Sequence, residues 1–444
     1  MQASSTIRQQ PVSGLNRLGQ ARTGRLSASP IRRGPRRFEL QAAGGVARET
    51  AEDSINGPES PEQCFPFMDR DGNSVEVMCC DYGFRSGVGR MYQDRYGEIP
   101  DNVWGLAVEN FKQEWNALRK SFRSDDYKKI ADQNPPEGPI GKAAYSLGGR
   151  VVQGLASFDE SLENSDVFPS LETAEQPTED LSKSIDDEFT ALTFEEVQAR
   201  LNQLKLSNDA VWKRENKRIA EGGGVKSPWY IKGAYLGLCV VIDVVYNNRP
   251  LPRFWFLETV ARMPYFSFIS MLHLYESLGW WRAGADVRKI HFAEEWNELH
   301  HLQIMEALGG DQLWIDRFLA LHAAIVYYWF LLLFYLLSPK TAYNFSELVE
   351  NHAVDTYTEF VEVNEELLKE LPPPKVAVQY YRGDDLYMFD DFQTSGSTEP
   401  RRPSCENLYD VFKNISDDEM EHVRTMKACA DDTIRADLNG RKFN

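Results

Sequence analysis

Two Glu-x-x-His pairs, Glu298 with His301 and Glu419 with His422, constrain this chain of 444 residues more than any other feature of it. Each is accompanied by an isolated glutamate upstream, Glu258 before the first and Glu350 before the second. On an α-helix, residues three apart lie on one face about a turn from each other, so a carboxylate and an imidazole at that spacing can hold one cation from one side. The stretches that separate Glu258, Glu298, Glu350 and Glu419 each have room for a helix and a return connection. The expectation is an all-α fold in which a four-helix bundle turns these six side chains inward.

Glu258 lies in an apolar run, with Phe254-Trp255-Phe256-Leu257 before it and Val260 and Ala261 after it. It is expected to be at least partly buried, where an unpaired carboxylate is costly. A bound cation relieves that cost, and a buried ion pair with Arg253 or Arg262 is the competing reading. All seven histidines (His273, His291, His300, His301, His322, His352 and His422) fall in the second half of the chain. Four glutamates and two histidines from four helices form the ligand pattern of ferritin-like di-iron carboxylate proteins. Carboxylate oxygen and imidazole suit iron, and two adjacent iron ions can hold both ends of dioxygen. Tyr357 follows Glu350 by two turns on the same face, placed to relay an electron or proton, although a core tyrosine fits that spacing equally well. Asn297 and Asp418 immediately precede the two motifs and could hydrogen-bond the ligands or each other.

Charge excludes one class of partner. With 49 basic against 67 acidic residues the net charge is -18, which argues against nucleic acid. The imbalance is uneven: residues 1–38 lack Asp and Glu but carry eight arginines, among them Arg8, Arg17, Arg32 and Arg37. Arg-rich, Ser-containing, acid-free composition is that of an organellar transit peptide, here assigned to 1–45, with a retained basic tail as the alternative. The six cysteines show no C-x-x-C spacing, so mostly reduced thiols are expected.

Residues 46–195 read as an acidic, partly disordered N-terminal region. Within it, Trp104, Leu106, Phe111, Trp115 and Leu118 give 102–123 helical spacing, whereas 157–188 is acidic and rich in Ser, Thr and Pro, like a loosely held linker. The glycines at 83, 87 and 89 and the Asp69-Arg70-Asp71-Gly72 segment are read as turns, since neither matches a phosphate or calcium loop. From 196 to 430 helical patterns dominate, leaving 431–444 as a tail. Two stretches, 229–246 and 318–337, are strongly apolar, and the second approaches the length needed to cross a bilayer. A spanning helix there would separate Glu298 from Glu350, so two helices lying in one leaflet are preferred, which makes the protein monotopic. A soluble bundle that buries both is the alternative.

From about 228 to 429 the sequence resembles the alternative oxidases, and among them the plastid terminal oxidases. The resemblance rests on Leu257-Glu258-Thr259-Val260-Ala261-Arg262-Met263-Pro264-Tyr265-Phe266, Trp296-Asn297-Glu298-Leu299-His300-His301-Leu302, Glu350-Asn351-His352-Ala353 and Asp417-Asp418-Glu419-Met420-Glu421-His422, in that order. It selects His301 over His300 and Glu350 over Glu347, choices that spacing favours without deciding. Residues 380–393 look like an insertion that the plastid branch has and the mitochondrial branch lacks. The resemblance implies a plastoquinol:oxygen oxidoreductase with two iron ions, in which two plastoquinols reduce dioxygen to two waters without proton pumping. It further implies Glu258, Glu298, His301, Glu350, Glu419 and His422 as iron ligands and Tyr357 as a redox-active tyrosine. Arg253, Leu257, Ala353 and Thr356 would line the quinol pocket of a homodimer on the stromal side of the chloroplast thylakoid membrane, in chlororespiration and carotenoid biosynthesis. A mitochondrial-type ubiquinol oxidase, a di-iron hydroxylase or desaturase, and a non-enzymatic metal bundle are the competing readings.

Overall fold

The computed structural model describes residues 67–68, 72–78, 102–124, 128, 130, 138–171, 194–383 and 403–434. The transit-peptide reading of 1–45 lies outside the described residues, as do Cys64, Cys79, Cys80, the glycines at 83–89, most of the 380–393 insertion and the tail beyond 434.

The described part is helical apart from a short antiparallel pair, β1 (Phe67–Met68) and β2 (Ser74–Val75), in which Phe67 faces Val75. Two helices follow, α1 (Val103–Arg123) and α2 (Gly138–Asn164). The Asn102 side chain caps α1 by accepting from the backbone N–H groups of Trp104 and Gly105. Arg119, buried between the two helices, donates Nε to Asp159 Oδ1 at 2.6 Å, Nη2 to Glu163 Oε2 at 3.1 Å and Nη1 to the Pro169 carbonyl at 2.8 Å. These bonds correct the first part of the linker expected over 157–188, because residues through Asn164 continue α2 with Asp159 and Glu163 facing α1; residues 172–188 lie outside the described residues. Composition suggested a solvated acidic stretch, and the paired arginines on the other helix were the missing half of the argument.

The body of the molecule comprises α3 (Phe194–Leu201), α4 (Asn208–Arg218, extended by a π turn over Ile219–Gly223), α5 (Trp229–Val245), α6 (Pro250–Ser277), α7 (Ala285–Ala307), α8 (Trp314–Leu337) and α9 (Pro339–Val363). It ends with α10 (Glu365–Lys369), α11 (Lys375–Arg382) and α12 (Leu408–Ala430). Helix α9 packs along α12, and α6 along both α7 and α8, so that α6, α7, α9 and α12 form the four-helix bundle expected from the sequence. Proline opens α6 and α9, where its missing N–H is no loss. Ser338 and Asn407 cap α9 and α12. The turn between α7 and α8 presses against α6 at Gly310, where a Cβ would stand 2.6 Å from Trp255 Cβ and 2.8 Å from the Leu251 carbonyl, so that position needs glycine.

Charged residues fasten the bundle's outer seams. Arg249, just before α6, donates Nη1 to Asp316 Oδ1 on α8 at 3.1 Å with both residues buried. Trp314 Nε1 donates to Glu114 Oε2 at 2.9 Å, joining the α1–α2 pair to the start of α8. The apolar stretches read from sequence are α5 and α8. Both present apolar side chains outward: Trp229, Val240 and Val244 on α5, and Val326, Trp329 and Leu337 on α8. Among the described residues α8 is long and apolar enough to cross a membrane by length and composition. The cysteines Cys239, Cys405 and Cys429 are buried and form no disulfide among the described residues.

Candidate metal centre

Each bundle helix contributes one glutamate from a middle turn: Glu258 from α6, Glu298 from α7, Glu350 from α9 and Glu419 from α12. All four, with His301 and His422, are no more than 2% exposed. They form two overlapping groups in which one ligand atom from each residue lies within 4.8 Å of the others. Glu258, Glu298, His301 and Glu419 make one group, and Glu298, Glu350, Glu419 and His422 the other. Glu298 and Glu419 are common to both, so either could be shared if each group held an ion.

The contacts between the two motif helices cross over. His422 Nδ1 lies 2.9 Å from Glu298 Oε1, and His301 Nδ1 lies 3.3 Å from Glu419 Oε1. Glu258 Oε2, Glu298 Oε2 and Glu419 Oε1 are buried with no protein hydrogen bond, as is His301 Nδ1. Removing an ion from water costs about several kcal/mol even after the protein relaxes, so four carboxylates in one dry spot require either protons or cations. In the protein alone, burial together with Glu298 holds Glu258 well above the ordinary carboxylate range, and burial together with Glu419 does the same to Glu350. Burial also acts to raise Glu298, but the neighbouring imidazoles of His301 and His422 outweigh it and hold Glu298 low. A dicationic guest would replace these protons, and the mixture of hard oxygen and imidazole nitrogen fits iron.

The competing partners of Glu258 are engaged elsewhere: Arg262 Nε donates to Glu295 at 2.9 Å, and Arg253 Nη1 donates to Asp243 at 2.9 Å. Support behind the imidazole is as the sequence suggested. His301 Nε2 donates to Asp418 Oδ2 at 3.0 Å, and that oxygen also accepts from Asn297 Nδ2 at 2.9 Å and from the Tyr381 hydroxyl at 2.8 Å. Such a bond fixes the tautomer that leaves Nδ1 to face the carboxylates. His300 points elsewhere, stacked on Tyr380 with ring centroids 4.2 Å apart. Tyr357 donates its hydroxyl to Glu258 Oε1 and stacks on Phe254.

Beside the centre, Arg253 Nη2 lies 3.3 Å from His352 Nε2, while the other ring nitrogen, His352 Nδ1, lies 3.0 Å from Glu215 Oε2. Tyr235 donates to the same glutamate at 2.7 Å. Thr356, one turn beyond His352, donates to the His352 carbonyl at 2.7 Å. Arg253 and Leu257 on α6 and Ala353 and Thr356 on α9 therefore lie on helices that meet at the Arg253–His352 contact. Sequence reading missed Glu215, Tyr235, His352 and Tyr265 as neighbours of the site. For Glu215 and Tyr235 no local pattern points to them, because they reach the site from α4 and α5. Tyr265 did leave a signal, since it follows Glu258 by the same interval that separates Tyr357 from Glu350.

A model of the alternative oxidase family matches residues 236–431, which include all six candidate ligands. Over these residues the chain is similar to the alternative oxidases. It is 57% identical over 189 residues to ubiquinol oxidase 4, chloroplastic/chromoplastic, of Arabidopsis thaliana, a match that covers 43% of this chain and 54% of that protein. Ubiquinol oxidase, mitochondrial, of Mangifera indica is 30% identical over 146 residues, covering 33% of this chain and 45% of the relative. Alternative oxidase 3, mitochondrial, of Glycine max is 31% identical over 146 residues, covering 33% and 44%. The chain thus spans about half the length of the curated relatives it matches. The higher identity is to the plastid relative, in line with the plastid terminal oxidase resemblance. Helices α1 to α4 precede the segment that the alternative oxidase model matches.

Proposed function

We propose that this chain is a plastid quinol oxidase that oxidises plastoquinol and reduces dioxygen to water. The observation that carries the reading is the pair of ligand groups that share Glu298 and Glu419, next to a tyrosine bonded to Glu258 and an arginine–histidine contact one turn away. Two iron ions held by Glu258, Glu298, His301, Glu350, Glu419 and His422 would supply the redox centre at which dioxygen is reduced. Two quinols give four electrons and four protons, and one dioxygen takes all of them to become two waters.

The chain's own residues divide the remaining work. Arg253 keeps one buried donor, Nε, without a hydrogen-bond partner, which suits it to a quinol oxygen. Leu257, Ala353 and Thr356 shape the same place, and His352 is held in position by Glu215. Tyr357, bonded to Glu258 on one side and stacked on Phe254 on the other, joins the quinol side to the centre. Burial, reinforced by Glu258, holds its phenol well above the ordinary value, so the hydroxyl stays a donor at rest.

Membrane binding is part of the proposal. Helices α5 and α8 would lie in one leaflet with their outward apolar faces, because α8 packs along α6 while its neighbours α7 and α9 both feed the same centre. The remaining elements are a homodimer, a thylakoid location on the stromal side, and turnover without proton pumping. Oxygen uptake by purified, iron-loaded protein with a plastoquinol analogue tests the reading. Quinol-dependent uptake that stops on iron removal supports it, and an inert iron-loaded protein overturns it. Hydroxylated organic product formed in step with oxygen uptake would favour the hydroxylase reading.

A further inference from the structure

Glu258 and Tyr265 stand seven residues apart on α6, as do Glu350 and Tyr357 on α9. Seven residues are close to two helical turns, so glutamate and tyrosine share a face within each helix. The helices run antiparallel, and each tyrosine reaches the other helix's glutamate. Tyr357 donates to Glu258 Oε1, and Tyr265 donates to Glu350 Oε1 at 3.1 Å. The fully buried Tyr265 ring also meets His422 edge-on, with ring centroids 5.6 Å apart. Glu350 and His422 are the two residues that belong to the second ligand group alone. Tyr265 therefore touches both of them.

We propose that Tyr265 is a positioning residue for the Glu350–His422 half of the metal centre. A carboxylate's terminal torsion is broad and roughly two-fold, so packing alone fixes it weakly. A hydrogen bond on Oε1 selects one orientation and leaves the other oxygen available to the centre. The ring edge against His422 restrains the imidazole plane at the same time. Outer partners that orient ligands in this way are typically worth about 10–100-fold in metal affinity.

The inference rests on reading the cluster as a metal centre, and the test separates the two. Full-length Tyr265→Phe is compared with Tyr343→Phe, a phenol in the same aromatic cluster whose hydroxyl bonds His291 Nε2 at 3.0 Å and is not bonded to a candidate ligand. Metal-stripped proteins are titrated with Co(II), following calorimetric affinity and the visible ligand-field bands. The expected result is that Tyr265→Phe binds one of two equivalents about tenfold or more weakly, with altered bands for that equivalent. The other equivalent stays at the wild-type value, and Tyr343→Phe keeps both. Wild-type binding of both equivalents in Tyr265→Phe overturns the inference, as does equal weakening of the two, or a matching loss in Tyr343→Phe. Wild-type protein that takes up no Co(II) overturns the metal-centre reading and this inference with it.

Discussion

Asp418 Oδ2 stands 3.0 Å from His301 Nε2, on the opposite side of the imidazole from Glu258, Glu298 and Glu419. The pair joins α12 to α7 and fixes which ring nitrogen faces the centre. Replacing Asp418 by Asn keeps the shape and removes the charge, so His301 is no longer held in one tautomer. Metal affinity should fall about 10–100-fold, read by competition with a chelator. An unchanged affinity would show that the imidazole is oriented by packing alone.

Single replacement of Glu258, Glu298, His301, Glu350, Glu419 or His422 by Ala should lower bound iron and abolish oxygen uptake. His300→Ala is the internal control, because that ring stacks on Tyr380 and its Nδ1 bonds the Trp296 carbonyl at 2.7 Å. Iron analysis of His300→Ala and His301→Ala side by side decides the assignment. Loss in the first with retention in the second would reverse it.

Tyr357 and Arg253 should fail differently. Tyr357→Phe removes one hydroxyl, and iron should stay bound because His301 in that half is still fixed by Asp418, Asn297 and Tyr381. Turnover should collapse. Arg253→Ala should instead raise the apparent KM for quinol, with a smaller effect on kcat. Steady-state oxygen uptake and iron stoichiometry on both variants check this, and near-normal turnover in Tyr357→Phe would reduce the tyrosine to a core residue.

Glu215 gives a stability prediction with a definite sign. Burial acts to raise its pKa, but hydrogen bonds from His352 and Tyr235 outweigh burial and hold it below its usual value of 4.5. Ionised Glu215 therefore stabilises the fold above the unfolded-state pKa, and that contribution is lost as pH falls through the lower folded-state value. Denaturant melts between pH 3 and 7 should show a shallower acid loss in Glu215→Gln than in wild type. Parallel curves would remove Glu215 from the account.

Protease added to one side of vesicles carrying the protein should reach segments both before α5 and after α9. Both apolar helices are proposed to lie in one leaflet, with the bundle on one side. Protection of the Glu350–His422 region alongside cleavage of the N-terminal helices would instead show that α8 crosses the bilayer.

The bundle and its six inward residues were legible because the information is local: i, i+3 motifs and apolar surroundings are properties of single helices. Helix 102–123 was legible for the same reason. The end of α2 was not, because Asp159 and Glu163 look solvated until Arg119 and Arg123 are placed opposite them. The Glu215–His352–Arg253 contact joins α4, α9 and α6, and no spacing within one helix encodes it. Tyr265 lies between these cases. Its interval from Glu258 was visible, but its partner is on another helix, so only the antiparallel crossing gives the interval a meaning.

The near-complete enclosure of the six central side chains turns the bundle into a sieve. A diatomic gas can percolate through a packed interior as side chains fluctuate, whereas a ring-sized reductant is too large to do so. On the proposed reading, fuel and oxidant then never share a chamber. Electrons have to cross protein while the organic molecule stays outside, which would shield the quinone product from attack by partly reduced oxygen.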